Sequence, residues 1–207
     1  MHFKLHILKK RLIGAIDRLS DWAIFIGIIL IGGLGSSWYM VSAGSALTTR
    51  SVGPWITWTA AGRTDADPYT QAHFARTGSL VLSTELAATY LAATDDDGLR
   101  LHSSCDYRIE GRELEASWWS LTVFDDSGAL IPNPSERHAF TSETVALTPE
   151  GEFVVTLARD ARAGNWLPTG GAGRLTLAMT ILEGATSIVA GSDSELALPS
   201  ISRVACR

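Results

Sequence analysis

The 207-residue chain carries 17 Lys and Arg against 22 Asp and Glu, a net charge of −5 spread very unevenly. Residues 1–21 hold Lys4, Lys9, Lys10, Arg11 and Arg18 against Asp17 and Asp21, a net of +3, whereas residues 44–207 hold twelve Arg and no Lys against twenty acids, a net of −8. Nucleic-acid binding needs a basic face to displace counterions, so that acidic excess argues against it.

Between these two regions lies WAIFIGIILIGGLGSSWYMV, residues 22–41, twenty consecutive positions without a charge. At 1.5 Å per residue such a helix crosses about 30 Å, the thickness of a bilayer's hydrocarbon core. Trp22 at one end and Trp38 and Tyr39 near the other suit the membrane interfaces. The sequence therefore divides into a basic N-terminus (1–21), a transmembrane helix (22–43), a linker (44–63) and a folded domain (64–207). Basic residues flanking a span stay cytoplasmic, which puts the domain on the far side, the periplasmic side of a bacterial inner membrane. The alternative is a cleaved signal peptide, with small residues at Ala43–Ala46, but the apolar run exceeds the ~7–15 residues usual for one. Gly32, Gly33, Ser36 and Ser37 fall at four-residue spacing and could pair two such helices into a homo-oligomer, or be incidental.

Beyond the linker, DADPYTQAHFARTG carries helix signals at both ends, with Asp67 suited to the N-cap, Pro68 to the first position and Gly78 just past the end. Tyr69, His73 and Arg76 fall on one face of that short helix. From there the pattern changes to period two. Leu175, Leu177, Met179 and Ile181 alternate with Arg174, Thr176, Ala178 and Thr180, Phe153, Val155 and Leu157 do the same, and so does Ser117–Phe124. Asp95–Gly98, Asp125–Gly128 and Pro149–Gly151 each end in Gly between apolar runs, as tight turns do. The aspartates at 95–97 lack the spacing and distal Glu of a calcium loop. Short strands joined this way predict an antiparallel sandwich or barrel. The two cysteines, Cys105 and Cys206, are expected to form a disulfide in an oxidising compartment, the alternative being two buried thiols.

Two segments, WWSLTVFDDSGALIPNPSERHAF (118–140) and NWLPTGGAGRLTLAMTILEG (165–184), resemble the signature blocks of the DUF1214 family of bacterial proteins. GPW (53–55) and DADPYTQAHFARTG (65–78) resemble its short, membrane-anchored alphaproteobacterial members. The resemblance implies a mainly β, jelly-roll-like sandwich, with a DUF1254-type protein as a partner. The chain departs from the family's usual Leu-Arg-Leu-Tyr by having Ala178–Ile181.

The chemistry offered is sparse. There is no Gly-x-Ser-x-Gly elbow, no phosphate-binding glycine loop before a helix, and no metal-type spacing among the histidines, so neither cofactor nor metal is expected. Asp106, Glu110, Glu113 and Glu115 could supply a carboxylate pair for glycan hydrolysis, or form an acidic solvated edge. The candidate ligand-binding residues are Tyr69, His73 and Arg76 on the helix, Asn133, Arg137 and His138 after one strand, and Asn165 and Trp166 before another. Rings beside amides and a guanidinium suit a polar ligand. The competing reading has the tryptophans filling the core while the asparagines bind loop backbone. The expectation is a non-catalytic envelope protein that binds a partner or small polar ligand, with the helix face meeting the 133–138 and 165–168 loops in one pocket. The alternatives are an envelope hydrolase acting on glycans, and a helix that merely plugs one end of the sandwich.

Overall fold

The computed structural model describes residues 2–114, 116–182 and 197–207, and it divides into two compact units at Ser45/Ala46. The first is a single helix, α1 (His2–Ala43), closed where Gly44 turns left-handed and its N–H donates to the Met40 carbonyl at 3.0 Å. Helical structure thus continues through the basic N-terminus. Arg18–Ala43 is long and apolar enough to cross a membrane.

The second unit is mainly β. Its strands are β1 (Thr49–Val52), β2 (Trp55–Trp58), β3 (Ala87–Ala92), β4 (Cys105–Arg112), β5 (Trp118–Asp125), β6 (Ala139–Thr141), β7 (Glu152–Ala158), β8 (Asn165–Pro168), β9 (Leu175–Leu182) and β10 (Ser200–Cys206). A six-stranded sheet runs β1-β2-β3-β9-β5-β6 and a four-stranded sheet runs β10-β4-β7-β8. The inward rows of the alternating strands are those expected: Trp119, Leu121 and Val123, Phe153, Val155 and Leu157, and Leu175, Leu177, Met179 and Ile181 are all buried. They join one hydrophobic cluster, in which Trp119 of one sheet stacks on Phe153 of the other at 5.0 Å. The two sheets therefore share a core face to face, the arrangement of a sandwich.

Two features depart from the sequence reading. The segment 44–63, expected as a linker that becomes ordered near Trp55 and Trp58, supplies β1 already at Thr49 as well as β2, and Trp55 is fully buried with its indole N–H donating to the Pro199 carbonyl at 2.7 Å. Four-residue strands such as TRSV and WITW carry too short an alternation to be read by period. The second departure is β8, which runs parallel to β7 within an otherwise antiparallel arrangement. Parallel neighbours usually need a long crossover; here β8 is a four-residue edge strand, so six residues suffice to bring the chain back beside β7.

The expected turns form as read, with Gly98, Gly128 and Gly151 at positive φ. The helix also forms as read, as α2 (Pro68–Thr77), with Asp67 at the N-cap accepting from the Tyr69 and Thr70 amides at 2.9 and 3.1 Å and Gly78 as its left-handed cap. Burial alone would raise the Asp67 carboxyl, but bonds from the Thr70 hydroxyl and these amides outweigh it and hold the group below the usual carboxylate range.

Tyr90 of β3 points into the core, where burial pushes its phenol up to about 12, slightly countered by Arg50. A phenol that ionises less readily when folded favours the folded state up to its unfolded pKa, and that advantage is lost as pH rises through the folded value. The melting temperature should therefore fall between pH 10 and about 12, and less steeply in Tyr90→Phe. Parallel curves for the two proteins in thermal melts across that range would refute the assignment.

Candidate functional site

The sequence-chosen residues fall into two groups. Asn133, Arg137 and His138 lead into β6, an edge strand of the six-stranded sheet. The Asn133 amide donates to the carbonyls of Ile131 and Arg137 at 3.1 and 3.0 Å, and its oxygen accepts from the Arg137 N–H at 3.1 Å. This cross-bracing holds the loop while Glu136 takes a left-handed φ of 49°. Asn165 is buried and spends its side chain likewise, accepting from the Ala146 N–H at 2.8 Å and donating to Ala146 and Val154 carbonyls at 2.9 and 3.1 Å. The Trp166 indole donates to the Ala158 carbonyl at 3.0 Å. Both asparagines thus brace backbone.

The loops do meet: Arg137 donates to the Trp166 carbonyl at 3.4 Å and lies 5.7 Å from the Phe140 ring centroid. Arg137 and His138 line a shallow concavity of about 590 Å³ with Glu136, Phe140, Thr144 and Gly164. These two side chains are the ones of this group placed to touch a ligand.

The helix residues lie elsewhere. His73 stacks on Trp58 of β2, ring centroids 4.2 Å apart and planes 26° from parallel, and Phe74 meets the same indole edge-on at 5.9 Å. Strand β2 is next to the edge opposite β6. Tyr69 and Arg76 are exposed on α2, Arg76 in its last turn where a cation complements the helix dipole. The expected joint pocket is thus divided: His73, alone of the helix residues chosen, lines one cavity, and Arg137 and His138 line another.

Sequence reasoning missed the groove that α2 helps build. Alternation along β3 sends Tyr90 inward and Thr89 and Leu91 outward, and along β9 it sends Ala178 and Thr180 outward. Over this outer face lie His73, Phe74 and Thr77 of α2 and the segment 79–82, enclosing a cavity of about 610 Å³. Ile56, Trp58, Phe124, Leu80, Val81 and Leu82 complete a mostly apolar lining. Two signals were present: Ala178 and Leu91 are apolar residues in outward rows, and the short Leu80-Val81-Leu82 run joins no strand. Polar contacts here include the Thr89–Thr180 hydroxyl pair at 3.3 Å and the Thr77 hydroxyl donating to the His73 carbonyl at 3.1 Å. The site can hold apolar matter.

Of the carboxylates weighed for hydrolysis, Asp106 and Glu110 sit on the outward row of β4 and Glu113 is exposed just past its end. Glu110 pairs with Arg108, and Asp106 with Arg162. Glu115 lies outside the described residues. Among the described residues, no three or more His, Cys, Asp or Glu side chains cluster so as to hold a metal ion.

No curated protein matches this chain. Among solved structures it is similar to the VPA0106 protein from Vibrio parahaemolyticus, with 22% identity and a TM-score of 0.56, the match covering 68% of this chain and 36% of that one. It is also similar to an uncharacterised protein from Burkholderia cenocepacia, at 17% identity and a TM-score of 0.42, over 58% and 30% of the two chains. The chain spans about a third of the length of the Vibrio protein, with which it shares a fold. The family model described as a protein of unknown function (DUF1214) matches residues 86–186, from the start of β3 past the end of β9. Over those residues the chain matches the DUF1214 family.

Proposed function

We propose that this protein is a single-pass protein of the bacterial inner membrane, with its N-terminus cytoplasmic and its β-sandwich on the periplasmic side. There the sandwich binds a partner protein or a small amphipathic ligand in the groove beneath α2, without catalysis. The observation that carries this reading is the groove itself. A concavity of about 610 Å³ with an apolar floor and an aromatic wall is of the size and character of a ligand site. Apolar surface held open on an outer sheet face is costly unless something covers it. The Trp58–His73 stack supplies a rigid wall with one polar tip, which suits an apolar body bearing a polar end.

Orientation is supported by the basic residues before the span and by the cysteine pair, which needs an oxidising compartment. A DUF1254-type protein is the partner that the family resemblance suggests, and homo-oligomers could form through the Gly32–Ser37 face of α1. The paired carboxylates of β4 weigh against glycan hydrolysis, which needs two free carboxyls across a cleft.

A photo-crosslinking residue at Leu91, in the full chain in its native membrane, should form one discrete adduct, protein or small molecule by mass. Ala178→Trp, which fills the groove floor, should abolish that adduct while the protein still melts cooperatively. An adduct pattern identical to that from Leu99, which is exposed in the Asp95–Arg100 turn, would overturn the binding role of the groove.

A further inference from the structure

Five residues, 44–48, separate the last residue of α1 from the first of β1. Fully extended, the six Cα–Cα steps across them reach at most about 22 Å. The side chains around this point are unusual for a soluble surface. Leu47 is 88% exposed, Leu80 fully so, Leu82 56% and Leu86 60%.

Backbone contacts join these leucines into one stretch of surface. The Thr59 N–H donates to the Thr48 carbonyl at 3.0 Å, next to Leu47. Two residues on, the Ala61 carbonyl accepts from the Thr84 N–H at 3.0 Å, and the left-handed Gly62 lies so close to Leu82 that a Cβ there would stand 2.7 Å from its carbonyl oxygen. The Leu86 N–H then donates to the Ser83 carbonyl at 2.8 Å. The rim therefore begins where the chain enters the folded unit and runs along 80–86.

Charge is distributed to match. Residues 44–86 hold Arg50, Arg63 and Arg76 against Asp65, Asp67 and Glu85, a net of zero. The whole acidic excess falls in residues 87–207, with nine Arg against seventeen acids. The stretch that follows the span in sequence is thus electrically neutral, so its net charge does not oppose contact with a lipid surface.

We infer that the rim of Leu47, Leu80, Leu82 and Leu86 rests in the interfacial layer of the bilayer, its partner being a zwitterionic lipid surface. Leucines inserted at the headgroup–acyl boundary bury apolar area without spanning it. The short tether makes that contact nearly intramolecular, so a small rim suffices where a free protein would need a large one. The inference rests on the single-pass reading above. It also gives the groove, whose wall includes Leu80 and Leu82, a mouth beside the lipid.

The test uses the full chain, one copy per phosphatidylcholine nanodisc, with an environment-sensitive fluorophore on a single added cysteine and the native pair left oxidised. Labels at Leu82→Cys and Leu86→Cys should lose emission to lipids spin-labelled high on the acyl chain. Labels at Leu99→Cys and Leu147→Cys should keep theirs. A label at Ile29→Cys within α1 reports the anchor separately. If Ile29 is quenched while positions 82 and 86 behave like 99 and 147, the rim does not touch lipid and the inference fails with the anchor intact. If Ile29 is not quenched, the anchor reading itself fails. A blue shift at 82 and 86 that appears only with two copies per disc and resists lipid quenching would assign the rim to a second copy instead, and overturn the inference. Both rim positions are exposed, so the labelled proteins should melt as the unmodified one does.

Discussion

Replacing Cys206 with serine should lower the melting temperature of the β unit by roughly 10 °C, a loss of about 3–4 kcal/mol. Cys105 of β4 and Cys206 of β10 are register partners as well as bonded partners, with Cα atoms 3.9 Å apart and a sequence separation of 101. Closing so long a loop removes much of the unfolded chain's freedom, and the chain-entropy account sets the upper bound at about 4–5 kcal/mol. The loss should stay below that bound because β10 is held by more than the bond: its ladder with β4, the Trp55 indole on Pro199 and the Asp96 carboxylate on the Ile201 N–H at 2.8 Å all persist in the variant. Alkylation with and without reductant is the companion measurement. The native full chain should take up no alkylating reagent until reduced, then two equivalents. Two reactive thiols before reduction, or an unchanged melt in Cys206→Ser, would refute the stabilising role of the pair and remove one support for an oxidising compartment.

How far the sequence was legible follows from how local each signal is. Capping at Asp67, Pro68 and Gly78 needs only neighbouring residues, and α2 forms between them as read. The inward rows of β5, β7 and β9 are set by period two and also form as read. Strands of four residues carry no such period, so β1, β2 and β8 were hidden, and with them the burial of Trp55. The candidate site was legible only in part, because a residue's type does not reveal where its hydrogen bonds go. Asn133 and Asn165 have the chemistry of ligand contacts, yet both bind backbone. The groove needs α2, β2, β3 and β9 brought together, and strand neighbours such as β3 and β9, nearly ninety residues apart, are set by packing across the core.

The aspartate turn at 95–98 has the composition of a solvated hairpin end, yet Asp95 is buried, and Asp95→Ala should be among the most damaging single changes in the protein. The Asp95 carboxylate is about 1% exposed and lies 2.9 Å from the Arg203 guanidinium on β10, while its other oxygen accepts from the Leu99 N–H at 2.8 Å. Arg203 is itself about three-quarters covered, its guanidinium 5.6 Å from the Tyr107 ring centroid and donating to the Arg100 carbonyl at 3.3 Å. Removing the carboxylate strands a mostly buried cation, and breaking such a pair costs about 3–5 kcal/mol. A methionine at 203 removes the charge but keeps much of the apolar stem, so Arg203→Met should cost less. The double variant should be more stable than the sum of the two single losses predicts, by at least about 1 kcal/mol, because no unpaired charge remains. The cycle separates two accounts of the turn. If the losses simply add, the pair contributes no coupling, and Asp95 serves only as a cap for the Leu99 amide. If they do not, the acidic turn is the clasp that seats the last strand, and hydrogen exchange in Asp95→Ala should rise first along β10 and its partner residues in β4.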